Sequence, residues 1–167
     1  KPIYLVTTHS HAEHTAGMGA FPAGTQFVVA RAQQDELDAL GAQPFAGIGK
    51  LTPEIGEMVK GASLVKPAVI FDAEHTVDLG GVTVRLIWMG PAHSKGDTVA
   101  VVEGEGVVFA GDLAPRGRFP SFSGVSTRAN FEKAMGRVEA LKARIIVPSH
   151  GPYGGNAIFP ELRYRSE

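Results

Sequence analysis

Short runs of apolar and β-branched residues recur along the chain, separated by glycine, proline and polar residues. Runs of this length and composition are typical of β-strands with a buried face. They predict strands at residues 3–7, 26–30, 69–71, 76–79, 82–89, 97–103, 107–110 and 144–147. Gly80-Gly81 joins two of these runs, and Gly104 and Gly106 separate two others, which is typical of hairpins. The middle of the chain is therefore predicted to be an antiparallel meander.

Apolar residues at helical spacing predict two longer helices. One covers residues 31–40, with Gly41 as its C-terminal stop. The other covers 127–142 and begins at Thr127, a residue type suited to cap a helix N-terminus. Its apolar face consists of Phe131, Ala134, Met135, Val138 and Leu141. We expect this face to cover a sheet, and we also predict a short helix at 14–21.

Residues 42–67 differ in character, because they combine several glycines and prolines with only a weak helical stretch at 52–59. A segment this long with little regular pattern is either a functional flap or a poorly ordered loop. The sequence leaves both interpretations open. We favour a flap that borders the active site.

Composition limits the class of protein. The chain has 167 residues, 44% hydrophobic and 20% charged, with a formal net charge of −1, and this size predicts one domain over residues 1–167. A near-neutral chain lacks the basic surface that nucleic-acid binding needs, so no nucleic-acid partner is expected. The absence of cysteine excludes disulfides, thiolate zinc sites and a cysteine nucleophile. Without an apolar run of about 20 residues, no membrane-spanning helix is expected.

A cluster of histidines near the start of the chain is the main chemical signal. His9, His11 and His14 fall within six positions, and Glu13 precedes the last of them. His9 and His11 are two apart at the end of a predicted strand, so their side chains point the same way and can share one ion. Glu13 and His14 follow the turn and are placed for a second ion, and two adjacent ions can hold a hydroxide and polarise a substrate oxygen. The alternative is a polar surface turn that happens to contain histidines.

Three further residues have ligand chemistry and follow predicted strands: His93, Asp112 and His150. Each alone has an ordinary explanation, since a lone loop histidine is usually solvated and Gly-Asp is a common turn. Together with the first cluster they form a set that loops can bring to one rim. His75 precedes a predicted strand, and we interpret it as a surface residue.

These residues resemble a known family. The pattern His-x-His-x-Glu-His at 9–14, followed by His93, Asp112 in Gly-Asp and His150 in Pro-Ser-His-Gly, is similar to the signature of the metallo-β-lactamase-fold hydrolases. The resemblance implies an α+β fold, an αββα sandwich with a dinuclear site. It implies two zinc ions, with iron or manganese as alternatives. The implied ligands are His9, His11 and His93 for the first metal, His14 and His150 for the second, and Asp112 as the bridge.

Two departures from the family pattern affect these expectations. Glu13 stands where the family usually has an aspartate that binds the second metal, so it either binds from a different rotamer, hydrogen-bonds the attacking water or leaves the second site weak. The motif also begins at residue 9, whereas the family has several strands before it. We therefore expect an N-terminally incomplete version of the fold, and its bare edge predicts a homo-oligomer.

The resemblance implies a metal-dependent hydrolase in which a metal-bound hydroxide attacks an ester, thioester, lactone or amide bond of a small molecule, β-lactams included. Glu13 and Asp112 are the predicted catalytic residues. One alternative is a mononuclear iron oxidoreductase of the persulfide-dioxygenase type, which uses two histidines and one carboxylate. Another is a relative that has lost catalysis.

Substrate contacts are predicted from loops near the ligands. Lys95 and Arg116 are candidates for holding an anionic group, and Tyr153 lies three residues past His150. Arg118 is a further candidate cation. Each of these charges is equally explained as a solvated surface residue.

Overall fold

The computed structural model describes residues 1–114 and 124–159 of the chain. A first sheet contains three parallel strands in the order β1, β2, β3: Tyr4–Val6, Gln26–Ala30 and Val69–Phe71. All three coincide with predicted strands, because short apolar runs between polar turns are a local signal. Val69–Phe71 pairs with β2 and stands outside the meander that follows it.

A second sheet contains five strands, β4 to β8, in sequence order: Glu74–Asp78, Thr83–Trp88, Thr98–Val102, Val107–Gly111 and Ile145–Pro148. Strands β4 to β7 are antiparallel neighbours, which confirms the predicted meander, and β8 pairs parallel to β7. At the first hairpin, Gly80 and Gly81 have φ of +76° and +109°. Glycine adopts these values without steric cost, as the turn requires.

Five α-helices complete the described part of the chain, α1 to α5: Ala12–Thr15, Arg31–Leu40, Gln43–Ile48, Pro53–Met58 and Arg128–Glu139. Helix α2 matches its predicted bounds and ends at Gly41, whose φ is +58°. Helix α5 begins as predicted, because Thr127 Oγ1 accepts a hydrogen bond from Asn130 N at 3.2 Å. No helix within the described ranges is long and apolar enough to cross a membrane.

Two short segments depart from the sequence prediction. The helix predicted at 14–21 is wrong in its bounds: α1 is a single turn that starts two residues earlier, and a 3-10 turn follows at Met18–Ala20. Residues 42–67 hold two short helices, of which α4 was indicated and α3 was not. Helix α3 has only six residues with Pro44 and Gly47 among them, and the burial of Phe45 to 4% exposure anchors it.

The sheets and helices stack in four layers. Between the sheets, Val28, Ala30 and Phe71 pack against Val77 and Leu86. Complete burial of one such side chain stabilises the fold by about 1.5–3 kcal/mol. The helix α5 face packs on the far side of the second sheet through Phe131, Ala134, Met135 and Val138. Met18, Leu64 and Val65 cover the outer face of the first sheet at Phe27 and Val29. The fold is the α+β, αββα sandwich that the resemblance implied.

His75 differs in position from its prediction. It lies inside β4 instead of before a strand, and it is half-buried. Its ring stacks on Phe71, with ring centroids 6.1 Å apart and an angle of 22° between the planes. His75 therefore has a packing role between the two sheets.

Candidate metal centre

The residues of the histidine motif sit where the first sheet ends. Strand β1 leads into residues 7–11, which carry His9 and His11, and helix α1 carries Glu13 and His14 directly afterwards. His11 is the residue that precedes the helix, with extended φ and ψ of −63° and 148°. The strand delivers the first two rings, and the helical turn carries the other two side chains onward.

The other three candidates come from the second sheet. His93 lies in the loop after β5, Asp112 follows β7 directly, and His150 follows β8. Backbone hydrogen bonds tie the two sheets together here: Thr98 N donates to Thr8 O at 2.8 Å. The site is thus built at one rim, where strands of both sheets end.

His9, His11 and His93 form one compact group. A ligand atom of each lies within 4.8 Å of the others. Nε2 of His93 and Nδ1 of His11 are 3.1 Å apart. His9 is fully buried, with 0% of its surface exposed. This group has the composition of a three-histidine metal site.

Glu13, His14 and His150 form a second group under the same 4.8 Å limit. Glu13 is exposed, whereas both histidines are partly buried. The longer side chain of glutamate therefore reaches the histidines that the resemblance assigned to the second metal.

Asp112 lies between the two groups. Its Oδ1 is 3.5 Å from His14 Nε2, and its Oδ2 is 3.4 Å from His93 Nε2 and 3.6 Å from His150 Nε2. A third compact group consists of His9, His14 and Asp112. One carboxylate thus faces rings of both groups, which is the arrangement a bridging ligand needs.

Burial favours the neutral form of three of the rings. The pKa of His9 is lowered far below its usual 6.5, first by burial and then by the surrounding rings. The pKa values of His14 and His93 are also lowered, mainly by burial, although Asp112 opposes the shift in both. Neutral imidazoles keep a free lone pair, which is the form that binds metal.

Several buried polar atoms of the centre have no hydrogen-bond partner within the described residues. These are His9 Nε2, His14 Nε2, His150 Nε2 and Asp112 Oδ1. Leaving one such group unsatisfied costs about 1–3 kcal/mol. Imidazole and carboxylate donors suit zinc, iron and manganese, so the residues fit a bound divalent metal.

Helix α2 fixes the loop that carries His9 and His11. Ser10 Oγ donates to Glu36 Oε2 at 2.5 Å, and Gln33 Nε2 donates to Thr7 Oγ1 at 2.6 Å. The bond between Gln33 and Thr7 is buried, and the bond between Ser10 and Glu36 is partly buried, because Ser10 is buried and Glu36 is partly exposed. Gln33 and Glu36 were not predicted from the sequence to have a role at the centre. The available signal was polar residues beside Leu37 on the buried face of an amphipathic helix.

Hydrogen bonds and close packing also fix the loop that carries His93. Asp97 accepts hydrogen bonds from Ser94 N at 2.9 Å and from Ser94 Oγ at 3.0 Å. Burial raises the pKa of Asp97 to about 7. A Cβ on Gly96 would overlap the backbone of Gln33 and lie 2.6 Å from its N, so the loop packs directly on helix α2.

Gly111 allows the ligand loops to approach each other. Its φ is +57°, and a Cβ there would lie 2.8 Å from Thr8 Cβ. Ser149 N donates to Gly111 O at 3.2 Å. The glycine before Asp112 is therefore required by both backbone conformation and close packing.

Two of the residues predicted to contact the substrate, Lys95 and Tyr153, lie within the described part of the chain. Lys95 is exposed in the loop after His93, and its carbonyl oxygen accepts a hydrogen bond from Trp88 Nε1 at 3.0 Å. Tyr153 is 70% exposed. Arg116 and Arg118 lie outside the described residues. The substrate roles of these side chains stay predictions.

A cavity of about 610 Å³ lies beside the centre, and the described residues that line it are not the predicted substrate contacts. His11, Glu13 and His150 contribute to its wall, together with residues of α2 and α3. Part of segment 42–67 therefore borders the candidate site, in agreement with the flap interpretation. The apolar residues of this wall were not singled out from the sequence.

Comparison with known proteins agrees with this geometry. The sequence profile of the Metallo-beta-lactamase superfamily matches residues 1–150. A curated relative, the metallo-beta-lactamase type 2 of Bacteroides fragilis, is 25% identical over 111 residues, which is 64% of this chain and 45% of that protein. The chain thus spans less than half the length of this relative.

Solved structures share the fold. A metallo-beta-lactamase from Pontibacter korlensis superposes with a TM-score of 0.72 at 20% identity, over 95% of this chain and 66% of that one. The metallo-beta-lactamase FIM-1 from Pseudomonas aeruginosa, in a mono-zinc form, has a TM-score of 0.66 at 23% identity, over 97% and 66%. A protein in a di-iron-bound form has a TM-score of 0.64 at 18% identity, over 97% and 76%. With the profile match over most of its length, the chain belongs to the metallo-beta-lactamase superfamily.

Proposed function

We propose that this protein is a metal-dependent hydrolase that cleaves an ester, thioester, lactone or amide bond of a small molecule. Membership of a superfamily made up mostly of metal-dependent hydrolases supports the general class. The observation that carries the proposal is the meeting of five histidines and Asp112 at one rim, with several of their donor atoms buried and unsatisfied.

The metal assignment follows the three compact groups. His9, His11 and His93 would hold one ion, and His14, His150 and Glu13 would hold a second. Asp112 would be shared between them, since it faces rings of both groups. We propose zinc for both positions, with iron and manganese as alternatives.

The side chains around the proposed metal positions keep the ligand loops in place. A bound zinc ion lowers the pKa of water toward neutrality and polarises the bond to be cleaved. Hydrogen bonds of Ser10 with Glu36 and of Ser94 with Asp97 keep the ligand loops in place. In hydrolysis, the oxygen of water bonds to the acyl carbon, the bond to the leaving group breaks, and the leaving group takes up a proton.

Glu13 and Asp112 are the proposed catalytic residues. Asp112 is buried among the rings, where its two oxygens face histidines of both groups. Glu13 is exposed on the cavity wall, where its carboxylate can accept a hydrogen bond from the attacking water. Lys95, Arg116 and Tyr153 remain candidates for contacts with the rest of the substrate.

A second candidate is a mononuclear iron oxidoreductase. His9, His14 and Asp112 form a group of two histidines and one carboxylate, which suits iron with open coordination positions. The metal content of protein purified without added metal separates the two candidates. Two zinc ions per chain support the hydrolase, and about one iron per chain supports the oxidoreductase.

The decisive test is a hydrolysis screen over lactams, lactones, thioesters, phosphodiesters and sulfate esters with zinc, manganese and iron. We expect activity in the carbonyl classes and its loss in a His9→Ala, Asp112→Ala double variant. His75→Ala is the matched control, since this histidine stacks on Phe71 and belongs to none of the three groups. Activity that survives the double substitution would overturn the proposal.

Self-association also stays a proposal. We expect a homo-oligomer, and sedimentation equilibrium measures it. A monomer that unfolds cooperatively would contradict this expectation.

A further inference from the structure

The cavity beside the candidate centre is polar on one part of its wall and apolar on another. His11, Glu13 and His150 bring ligand side chains to it. Most of the remaining wall comes from the end of α2 and from α3 with the residues after it: Leu40, Pro44, Gly47, Ile48 and Leu51. A reactive centre and an apolar surface therefore share one concave space.

The apolar wall is open to solvent. Leu40 is 39% exposed and Leu51 is 69% exposed. Helix α3 is held beneath them by Phe45, which is buried to 4% exposure. Scattered exposed leucines need no explanation, but a concave apolar surface that continues into polar donor groups is typical of a ligand site.

We propose that this cavity binds the apolar acyl group of the substrate, an alkyl chain or an aryl ring. This inference rests on the proposed hydrolase function. The carbonyl is the group that the centre must engage, and the acyl chain is bonded to that carbonyl carbon. An apolar chain directed away from the centre into the cavity would cover Ile48 and Leu51, whereas a small polar acyl group would leave them in water.

The proposal sets an expected dependence on chain length. Each methylene removed from water contributes a factor of about three to four in affinity. Specificity for the acyl chain should thus rise steadily from two carbons until the cavity is filled.

Gly47 provides a variant that fills the cavity with little risk to the fold. It lies inside helix α3, and a Cβ built on it meets no heavy atom within 4 Å. Replacement of a helical glycine also favours the helix. Gly47→Leu should occupy the cavity, and Leu51→Asp should make its wall polar.

The experiment uses the metal-loaded protein and two sets of probes. The first set is p-nitrophenyl esters from acetate to octanoate, for which kcat/KM is measured. The second is the linear carboxylates from acetate to octanoate, for which Kd is measured by calorimetry and no turnover is needed. Leu79→Asp is the matched control, because Leu79 is 43% exposed in the hairpin after β4, outside the cavity wall.

We expect kcat/KM for the esters and the association constant 1/Kd for the carboxylates each to be at least tenfold higher for octanoate than for acetate. This octanoate-to-acetate ratio should fall at least tenfold in Gly47→Leu and Leu51→Asp but not in Leu79→Asp. Chain-length-dependent binding without ester hydrolysis would support the cavity and count against the hydrolase. Hydrolysis with a flat chain-length profile in both sets would overturn the cavity proposal and leave the hydrolase standing. A slope that is unchanged in Gly47→Leu and Leu51→Asp would also overturn it.

Discussion

Nε2 of His93 lies 3.1 Å from Nδ1 of His11, although the two residues are 82 positions apart in the chain. The two rings come from different sheets, one after β1 and the other after β5. Without metal, one of these nitrogens donates a hydrogen bond to the other, and the tautomer decides which. A bound ion needs the lone pairs of both nitrogens, so it would replace this hydrogen bond while the two atoms stay close enough to share the ion.

Glu13 is predicted to be a ligand of the second metal. Its carboxylate forms one of the three compact groups together with His14 and His150. We expect Glu13→Ala to lower the metal content from about two ions per chain to about one, measured by elemental analysis after dialysis. Glu13→Asp restores the family's usual residue and should keep two ions. Exposed Glu57 lies in helix α4, outside the three groups, so Glu57→Ala should also keep two. A content of two ions in Glu13→Ala would show that Glu13 is not needed as a ligand.

Glu36 is predicted to position the first metal site through Ser10. Its Oε2 accepts a partly buried hydrogen bond from Ser10 Oγ at 2.5 Å. Loss of such a supporting contact typically costs 10- to 100-fold in metal affinity or activity, on the order of 1–3 kcal/mol. We expect Glu36→Ala to weaken metal binding by about that factor, measured by competition with a chelator. Asp38→Ala changes an exposed residue on the same helix and should leave metal affinity unaltered. Equal affinities in the two variants would refute the role of Glu36.

Gly96 is predicted to be intolerant of any side chain. A Cβ there would overlap the backbone of Gln33, so the loop or helix α2 must shift. We expect Gly96→Ala to lower the free energy of unfolding by about 1–3 kcal/mol in urea denaturation. Gly136→Ala is the control, because a Cβ on Gly136 in helix α5 meets nothing within 4 Å. That variant should gain about 0.5–1 kcal/mol from helix propensity. A neutral Gly96→Ala would contradict the close packing.

The contribution of the buried histidines to the stability of the metal-free protein is predicted to rise with pH between about 5 and 7. Burial lowers the pKa values of His9, His14 and His93 below 6.5 in the folded state. The unfolded chain therefore binds more protons in this range, and stability is lost as the pH falls. In Asp97→Asn, which lacks the opposing titration of Asp97, we expect lower stability at pH 5 than at pH 7.5 in urea unfolding with chelator. Adding His93→Gln should reduce the difference, and equal stability of Asp97→Asn at the two pH values would contradict this prediction.

Asp97 works in the opposite direction and provides an internal check on this pH dependence. Its folded pKa is raised to about 7 from 3.8, so its contribution is complete below pH 3.8 and is lost as the pH rises to about 7. Asp97→Asn removes that loss. The variant should therefore gain stability relative to the wild type on going from pH 5 to pH 8. No change in the difference between the two proteins would show that Asp97 does not titrate in this way.

Most strands of the two sheets and the two long helices could be predicted, because the sequence patterns that indicate them involve only neighbouring residues. Gln26–Ala30 is an apolar run between turns, and Arg31–Leu40 ends at a glycine with positive φ. Helix α3 could not be predicted, since six residues with a proline and a glycine have little helix propensity. It forms where Phe45 finds a buried position, which depends on the rest of the fold.

The sequence by itself determined the donor chemistry of the centre. The spacing of His9, His11 and His14 and the strand-end positions of Asp112 and His150 are written in the chain. Only the tertiary structure decided that Glu13 reaches His14 and His150, that Glu36 holds Ser10, and that α3 places an apolar wall beside the ligands. The reason is physical: strand and helix signals depend on neighbours within a few residues, whereas these contacts depend on how two sheets and a helix are packed together.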